Sequence, residues 1–253
     1  MKANPLIGII GLVLFAYNTY SQTELKKTNI GESKKDSLAK SAFVITPRIN
    51  SAGYFPFTGA YLNRHLNADL NVFYNRKAYG FFIFKSLDLE DPHSIVNYLQ
   101  PGIFKNLNIS TKFKARAFFG YVFSQTSGFK DNDSDYYAAV SLYWDITKRI
   151  RLENTYLFFD LSTSEKLANR LFISYLLKDF KIEIYLWHRV VFEDSSSALS
   201  TSLAVNFPKI KLSEKLFIQN TLSYMGYLTE FKPNFAMRDG FLFSIAFPFT
   251  QNK

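Results

Sequence analysis

The chain has 253 residues and no cysteine, with 47% hydrophobic, 18% aromatic and 20% charged residues. That aromatic content excludes a disordered or collagen-like chain, and the missing thiols exclude disulfides, cysteine nucleophiles and zinc-thiolate sites. Thirty Lys and Arg against twenty-one Asp and Glu leave a net charge of +9, while a mean hydropathy of −0.07 suits a soluble domain and a chain of alternating apolar and polar strand residues equally well.

At the amino terminus Lys2 precedes an apolar run from Leu6 to Ala16, and small residues follow at Thr19 and Ser21. This is the layout of a secretory signal peptide over residues 1–21; the run falls short of the roughly 20 residues of a spanning helix. Export removes chromosomal nucleic acid as the partner of the positive charge. Residues 22–40, with Lys26, Lys27, Glu32, Lys34, Lys35, Asp36 and Lys40 and no aromatic residue, read as a polar, flexible lead-in.

From residue 41 to 253 the character changes to period-two alternation, which places side chains on two opposite strand faces. Ile109, Phe113, Ala115, Ala117, Phe119, Tyr121 and Phe123 share one parity, against Ser110, Lys112, Lys114, Arg116, Gly120 and Ser124. Tyr136 to Ile146, Leu199 to Phe207 and Phe241 to Phe249 repeat the design. Segments 78–88 and 151–161 carry large apolar residues on both parities, which bulges or loop-buried ends would explain. Short polar breaks near Asn75–Lys77, Lys105–Asn106, Thr147–Arg149, Lys178–Asp179 and Pro208–Glu214 alternate with breaks that are often longer or more acidic, near Ser51–Ala60, Glu90–Ser94, Thr126–Ser134, Ser162–Lys166, Asp194–Ser197 and Thr229–Phe235. An all-β, transmembrane, antiparallel up-and-down β-barrel of about twelve strands, between about ten and fourteen, predicts these two classes of connection and puts both termini on the tight-turn side. The alternative is a secreted soluble sandwich or barrel whose apolar faces turn inward.

These features together resemble the outer-membrane β-barrel proteins of Gram-negative bacteria, and the terminal strand from Phe241 to Phe249 looks like that family's carboxy-terminal assembly signal. Thr250 to Lys253 extend beyond the aromatic end that many members show. The resemblance implies outer-membrane lipid and the barrel-assembly machinery as partners, periplasmic termini, and most aromatic residues as a lipid-facing coat.

With the apolar parity toward lipid, the lumen is expected to be lined by Arg48, Asn63, His65, Asn67, Asp69, Asn71, Lys112, Lys114, Arg116, Asp145, Glu153, Arg170, Lys181, Glu183, Arg189 and Arg238. Cations exceed anions in this set, so an open bore would favour anionic or polar small solutes. The competing expectation is a filled, non-conducting barrel in which Asp145, Glu153 and Glu183 neutralise Lys and Arg. The row Asn63, His65, Asn67, Asp69, Asn71 forms a hydrogen-bonding ladder suited to a sugar or nucleoside-like solute, or to holding neighbouring charges. Enzymatic readings are weaker. His93 adjoins Ser94, but strand neighbours point to opposite faces; His188 shares the apolar parity; His65 lacks a serine at a useful spacing. Asp131, Asp133 and Asp135 lack the glycine and distal glutamate of a calcium loop. No catalytic residue, metal or cofactor is expected.

Overall fold

The computed structural model describes residues 41–56, 59–124, 134–162, 166–192, 196–229 and 237–252. The signal peptide at 1–21, the lead-in at 22–40, and Asp131 and Asp133 lie outside them. In chain order the strands are β1 Ser41–Asn50, β2 Gly53–Phe55, β3 Ala60–Asn63, β4 Asn67–Arg76, β5 Tyr79–Asp88, β6 Tyr98–Asn108, β7 Phe113–Ser124, β8 Asp135–Asp145, β9 Ile150–Phe159, β10 Lys166–Leu176, β11 Lys181–Val191, β12 Ser196–Asn206, β13 Ile210–Lys211, β14 Phe217–Tyr227, β15 Asp239–Ala246 and β16 Phe249–Asn252.

Twelve of these form a closed antiparallel ring: β1, β4 to β12 in sequence, β14 and β15, with β15 returning to β1. Pro248 interrupts the last staff, since proline has no N–H for the ladder, and β16 resumes on the same edge of β1, Thr250 opposite Val44 and Asn252 opposite Ala42. Residues 250–252 are therefore part of the closing strand and not an overhang. Tight connections and longer ones alternate as the sequence predicts except at two places: the 207–216 connection on the tight-turn side is long enough to carry β13, and 192–195 on the other side is short. One boundary moves: Lys105 and Asn106 are inside β6, and the turn falls at 109–112.

Large apolar side chains on the outward parity stand exposed all round the ring, among them Ile49, Phe81, Ile103, Phe119, Trp144, Ile184, Leu203 and Phe243. A coat this continuous far exceeds the patches that water-soluble proteins carry and matches the apolar band of a membrane barrel.

The interior corrects one expectation. Phe73, Phe82, Phe84, Phe104, Phe118 and Tyr137, from β4 to β8, are all buried inside the ring. Phe73 stacks on Phe104 with ring centroids 4.8 Å apart, and Phe82 meets Phe118 edge-on at 4.9 Å. The aromatic content is thus divided between coat and core. This also explains the mixed parities of 78–88 and 151–161: β5 and β9 run in unbroken register with both neighbours, and their second apolar parity packs the bore. Gly102 and Gly120 are paired across β6 and β7, and Tyr137 lies over the two, its hydroxyl donating to the Pro101 carbonyl at 3.3 Å. A Cβ at Gly120 would collide with the Tyr137 ring and the Pro101 carbonyl. Gly120→Ala is therefore expected to cost about 1–3 kcal/mol, measured as a lower temperature midpoint for loss of the compact, unboiled gel band.

Candidate functional site in the barrel interior

Charges at the tight-turn end are largely paired. Arg151 donates through Nε to Asp145 at 2.6 Å, and Lys114 donates to the other carboxylate oxygen at 3.3 Å. Further in, Arg170 and Glu153 form a buried ion pair. Thr155 donates to Glu153 at 2.9 Å and shares a 2.5 Å hydrogen bond with Ser141. Lys181 pairs with Glu183, which also accepts from the Tyr185 hydroxyl at 3.1 Å. Two inward cations have no carboxylate partner among the described residues. Arg116, 5% exposed, lies against the rings of Phe73, Phe104 and Tyr143 with Nε donating to Asn106 at 2.6 Å, and Arg189 donates to the Tyr227 hydroxyl at 3.4 Å.

The predicted lining is otherwise redistributed. Lys112 is exposed in the 109–112 turn, and Arg238 is exposed just before β15; both lie beyond the strand ends, where parity no longer sets side-chain direction. The five-residue polar row is not one strand. Asn67, Asp69 and Asn71 are inward on β4, but Asn63 ends β3 and His65 sits in the bend between. His188 is exposed on the outward parity, as expected, and Asp135 is buried at the start of β8, where its carboxylate accepts from the Ser162 amide and hydroxyl.

The longer connection 51–66 forms the β2–β3 hairpin, which folds into the ring. Its Pro56 carbonyl accepts from Trp187 Nε1 of β11 at 3.3 Å, Gly59 (φ 67°) lies on the Trp187 ring, and Tyr61 covers Gly240 of β15 and donates to the Phe241 carbonyl at 3.3 Å. Ala52, Tyr61, Trp187, Met225 and Leu242 make a buried cluster, so the hairpin reaches across the long-connection end. Glycine is needed at 240 because any side chain there would occupy the Tyr61 ring position. Deeper, the Tyr54 hydroxyl accepts from Arg48 Nη1 at 2.8 Å, and Arg48 Nε stands 3.8 Å from Asp69.

Asp88, at the end of β5, anchors the hairpin base and was not singled out by the sequence. Its Oδ2 receives Asn63 Nδ2 and His65 Nδ1, each at 2.9 Å, and its Oδ1 receives the amides of Glu90 and Asp91. Asn63 Oδ1 in turn accepts from the amides of Gly53 and His65. The hydrogen bond to Asp88 raises the His65 pKa above 6.5, helped by the charges of Asp88, Glu90 and Asp91 and opposed by slight burial.

Several buried polar atoms on the β4 and β6 walls have no hydrogen-bond partner: Asn67 Oδ1, Asp69 Oδ1, both amide atoms of Asn71, and Gln100 Oε1. An unsatisfied buried group costs about 1–3 kcal/mol, so this conformation leaves part of the interior under-satisfied.

No protein-family model matches the chain, and no curated protein matches it. Solved structures do. A NanC porin structure in a rhombohedral crystal form superposes with a TM-score of 0.56 at 13% identity, covering 81% of this chain and 98% of that one. The KdgM porin gives 0.54 at 10% identity, covering 81% and 98%. KdgM in complex with disordered oligogalacturonate gives 0.52 at 8% identity, covering 82% and 98%. The chain has the closed twelve-strand barrel fold of outer-membrane porins.

Because the folded-state pKa of His65 is raised, its stabilising contribution is complete below about pH 6.5 and is lost as the pH rises through the folded value. After correction for intrinsic exchange, the amides of Gly53 and His65 are expected to exchange faster as the pH is taken from about 6 to about 9, and His65→Ala to exchange fast throughout. Equal protection of the wild type at about pH 6 and about pH 9 would contradict a role for the His65–Asp88 hydrogen bond in holding the hairpin base.

Proposed function

We propose that this protein is an outer-membrane channel of narrow bore for small polar solutes, with the β2–β3 hairpin closing its long-connection end in the conformation described. The observation that carries the reading is that polar and charged groups share the interior of a closed, apolar-coated ring with the aromatic wall of β4 to β8, while the obstruction at the long-connection end comes from a connection. The porin fold of the structural neighbours supports it. These neighbours are barrels named as porins, one of them in complex with disordered oligogalacturonate, which agrees with a mild preference for anions here. That preference rests on Arg116 and Arg189, since the other inward cations have acidic partners. Both termini face the periplasm in this reading, and β15 with β16 presents the closing strand to the assembly machinery.

Transport is favoured over lipid hydrolysis. His65 Nδ1 does meet a carboxylate, as a catalytic base would, but the Ser94 hydroxyl hydrogen-bonds Asp88 and Asn63; a nucleophile needs to meet the imidazole.

In a planar bilayer the wild type is expected to give small, intermittent currents. Gly240→Leu, which removes the seat of Tyr61, should raise the open fraction. A unit charge about 6 Å from a permeating ion in water attracts an anion and repels a cation by about 0.7 kcal/mol each, so Arg116→Gln should lower the chloride-over-potassium preference about tenfold, and Lys112→Gln should leave it unchanged. Silence of both the wild type and Gly240→Leu would instead support a filled, non-conducting barrel, the reading favoured by the buried Arg170–Glu153 pair.

A further inference from the structure

The unpartnered groups of the interior are not scattered. Asn71, Phe84 and Gln100 are successive partners across β4, β5 and β6, so one aromatic ring stands between two carboxamides in a single row. Asn67 and Asp69 continue the β4 wall above Asn71, and Asp69 already holds Asn50 Nδ2 at 2.7 Å through its other oxygen. Each of these side chains is at least nine-tenths buried, yet Asn71 uses neither end of its amide, Asn67 and Gln100 each leave an acceptor empty, and Asp69 Oδ1 has no hydrogen bond, only Arg48 Nε at 3.8 Å.

The chemistry of that row selects a ligand class. Carboxamides offer donors and acceptors side by side, a carboxylate offers acceptors, and an aromatic face accepts the C–H face of a saturated ring. A hydroxyl, which is donor and acceptor at once, satisfies such a set. An anion does not, because the one cation beside the row, Arg48, is already paired with Asp69; the cations without a carboxylate partner among the described residues, Arg116 and Arg189, belong to other strands. Across the ring β12, β14 and β15 turn small side chains inward, Ser200, Ser202, Ala204, Ser223 and Ser244, all of them buried in this conformation. We infer that the β4–β6 wall is a subsite for a neutral, polyhydroxylated ring such as a monosaccharide, uncovered when the hairpin carrying Tyr54 withdraws. This assignment rests on the channel reading and names a solute class for it.

The test is saturation-transfer NMR of D-glucose with the detergent-solubilised full barrel, beside bilayer recording of chloride current. Transfer to glucose is expected in the wild type and should be stronger in Gly240→Leu. Asn71→Leu and Gln100→Leu should each weaken glucose binding about tenfold while Lys112→Gln, in the exposed 109–112 turn, leaves it unchanged. Each variant is first checked for heat-dependent gel migration; if Asn71→Leu does not fold, Gln100→Leu carries the comparison. Absence of transfer in both the wild type and Gly240→Leu, or undiminished transfer in the two leucine variants, overturns the subsite. A barrel that passes chloride without binding glucose loses the subsite and keeps the channel; one that binds glucose without current keeps the subsite and loses the channel.

Discussion

The structure depends on the satisfaction of backbone hydrogen bonds around a closed ring. In a hydrocarbon layer an unpaired N–H or C=O has no water to turn to, so an open sheet edge is not viable and the first strand must find the last. Here β1 does so along its whole length, meeting β15 above the Pro248 interruption and β16 below it. The Phe247 amide bridges the gap to the Pro47 carbonyl at 2.9 Å, and the Phe217 amide reaches the Pro248 carbonyl at 3.1 Å. The residues after Phe249 are used to complete the seam.

Once the ring is closed, the inward faces must fill or hydrate a common space, and the two halves do it differently. The β4 to β8 side contributes an aromatic wall with a glycine pair cut for Tyr137, and the β9 to β11 side contributes buried ion pairs with hydroxyl partners. Arg116 sits where these regimes meet, its charge balanced by ring faces and one amide. Buried pairs of this kind are costly to break singly but contribute little net stability, which fits a role in setting the interior's charge balance and shape.

The hairpin turns this interior into a candidate site. Its hydrophobic seat, Ala52 and Tyr61 against Trp187, Met225 and Leu242, is compact, and its polar attachment converges on Asp88. The under-satisfied amides below it mean that the closed arrangement does not use everything the wall offers. The hairpin is thus held by two apolar clusters, the second formed by Ala60 and Leu62 with Val96, and by one carboxylate hub.

Local alternation was legible because side-chain direction along a strand depends only on neighbouring residues: the strand number, the two kinds of connection and the inward placement of Arg48, Asp69, Asn71, Arg116, Glu153, Arg170 and Glu183 all followed from it. Where strands end is not a local property, so Lys112 and Arg238 were carried inward past turns. The row from Asn63 to Asn71 has an unbroken period, yet the chain bends at 64–66 because Asp88, 23 residues beyond His65, captures both Asn63 and His65. Aromatic residues on both parities of β5 and β9 were ambiguous for a similar reason, since apolar surface is equally suited to lipid and to a packed bore. The sequence by itself determined a barrel of alternating faces; only the tertiary structure decided which aromatics fill it, which charges cancel and which connection enters it, because those outcomes depend on contacts across the closed ring between residues far apart in the chain.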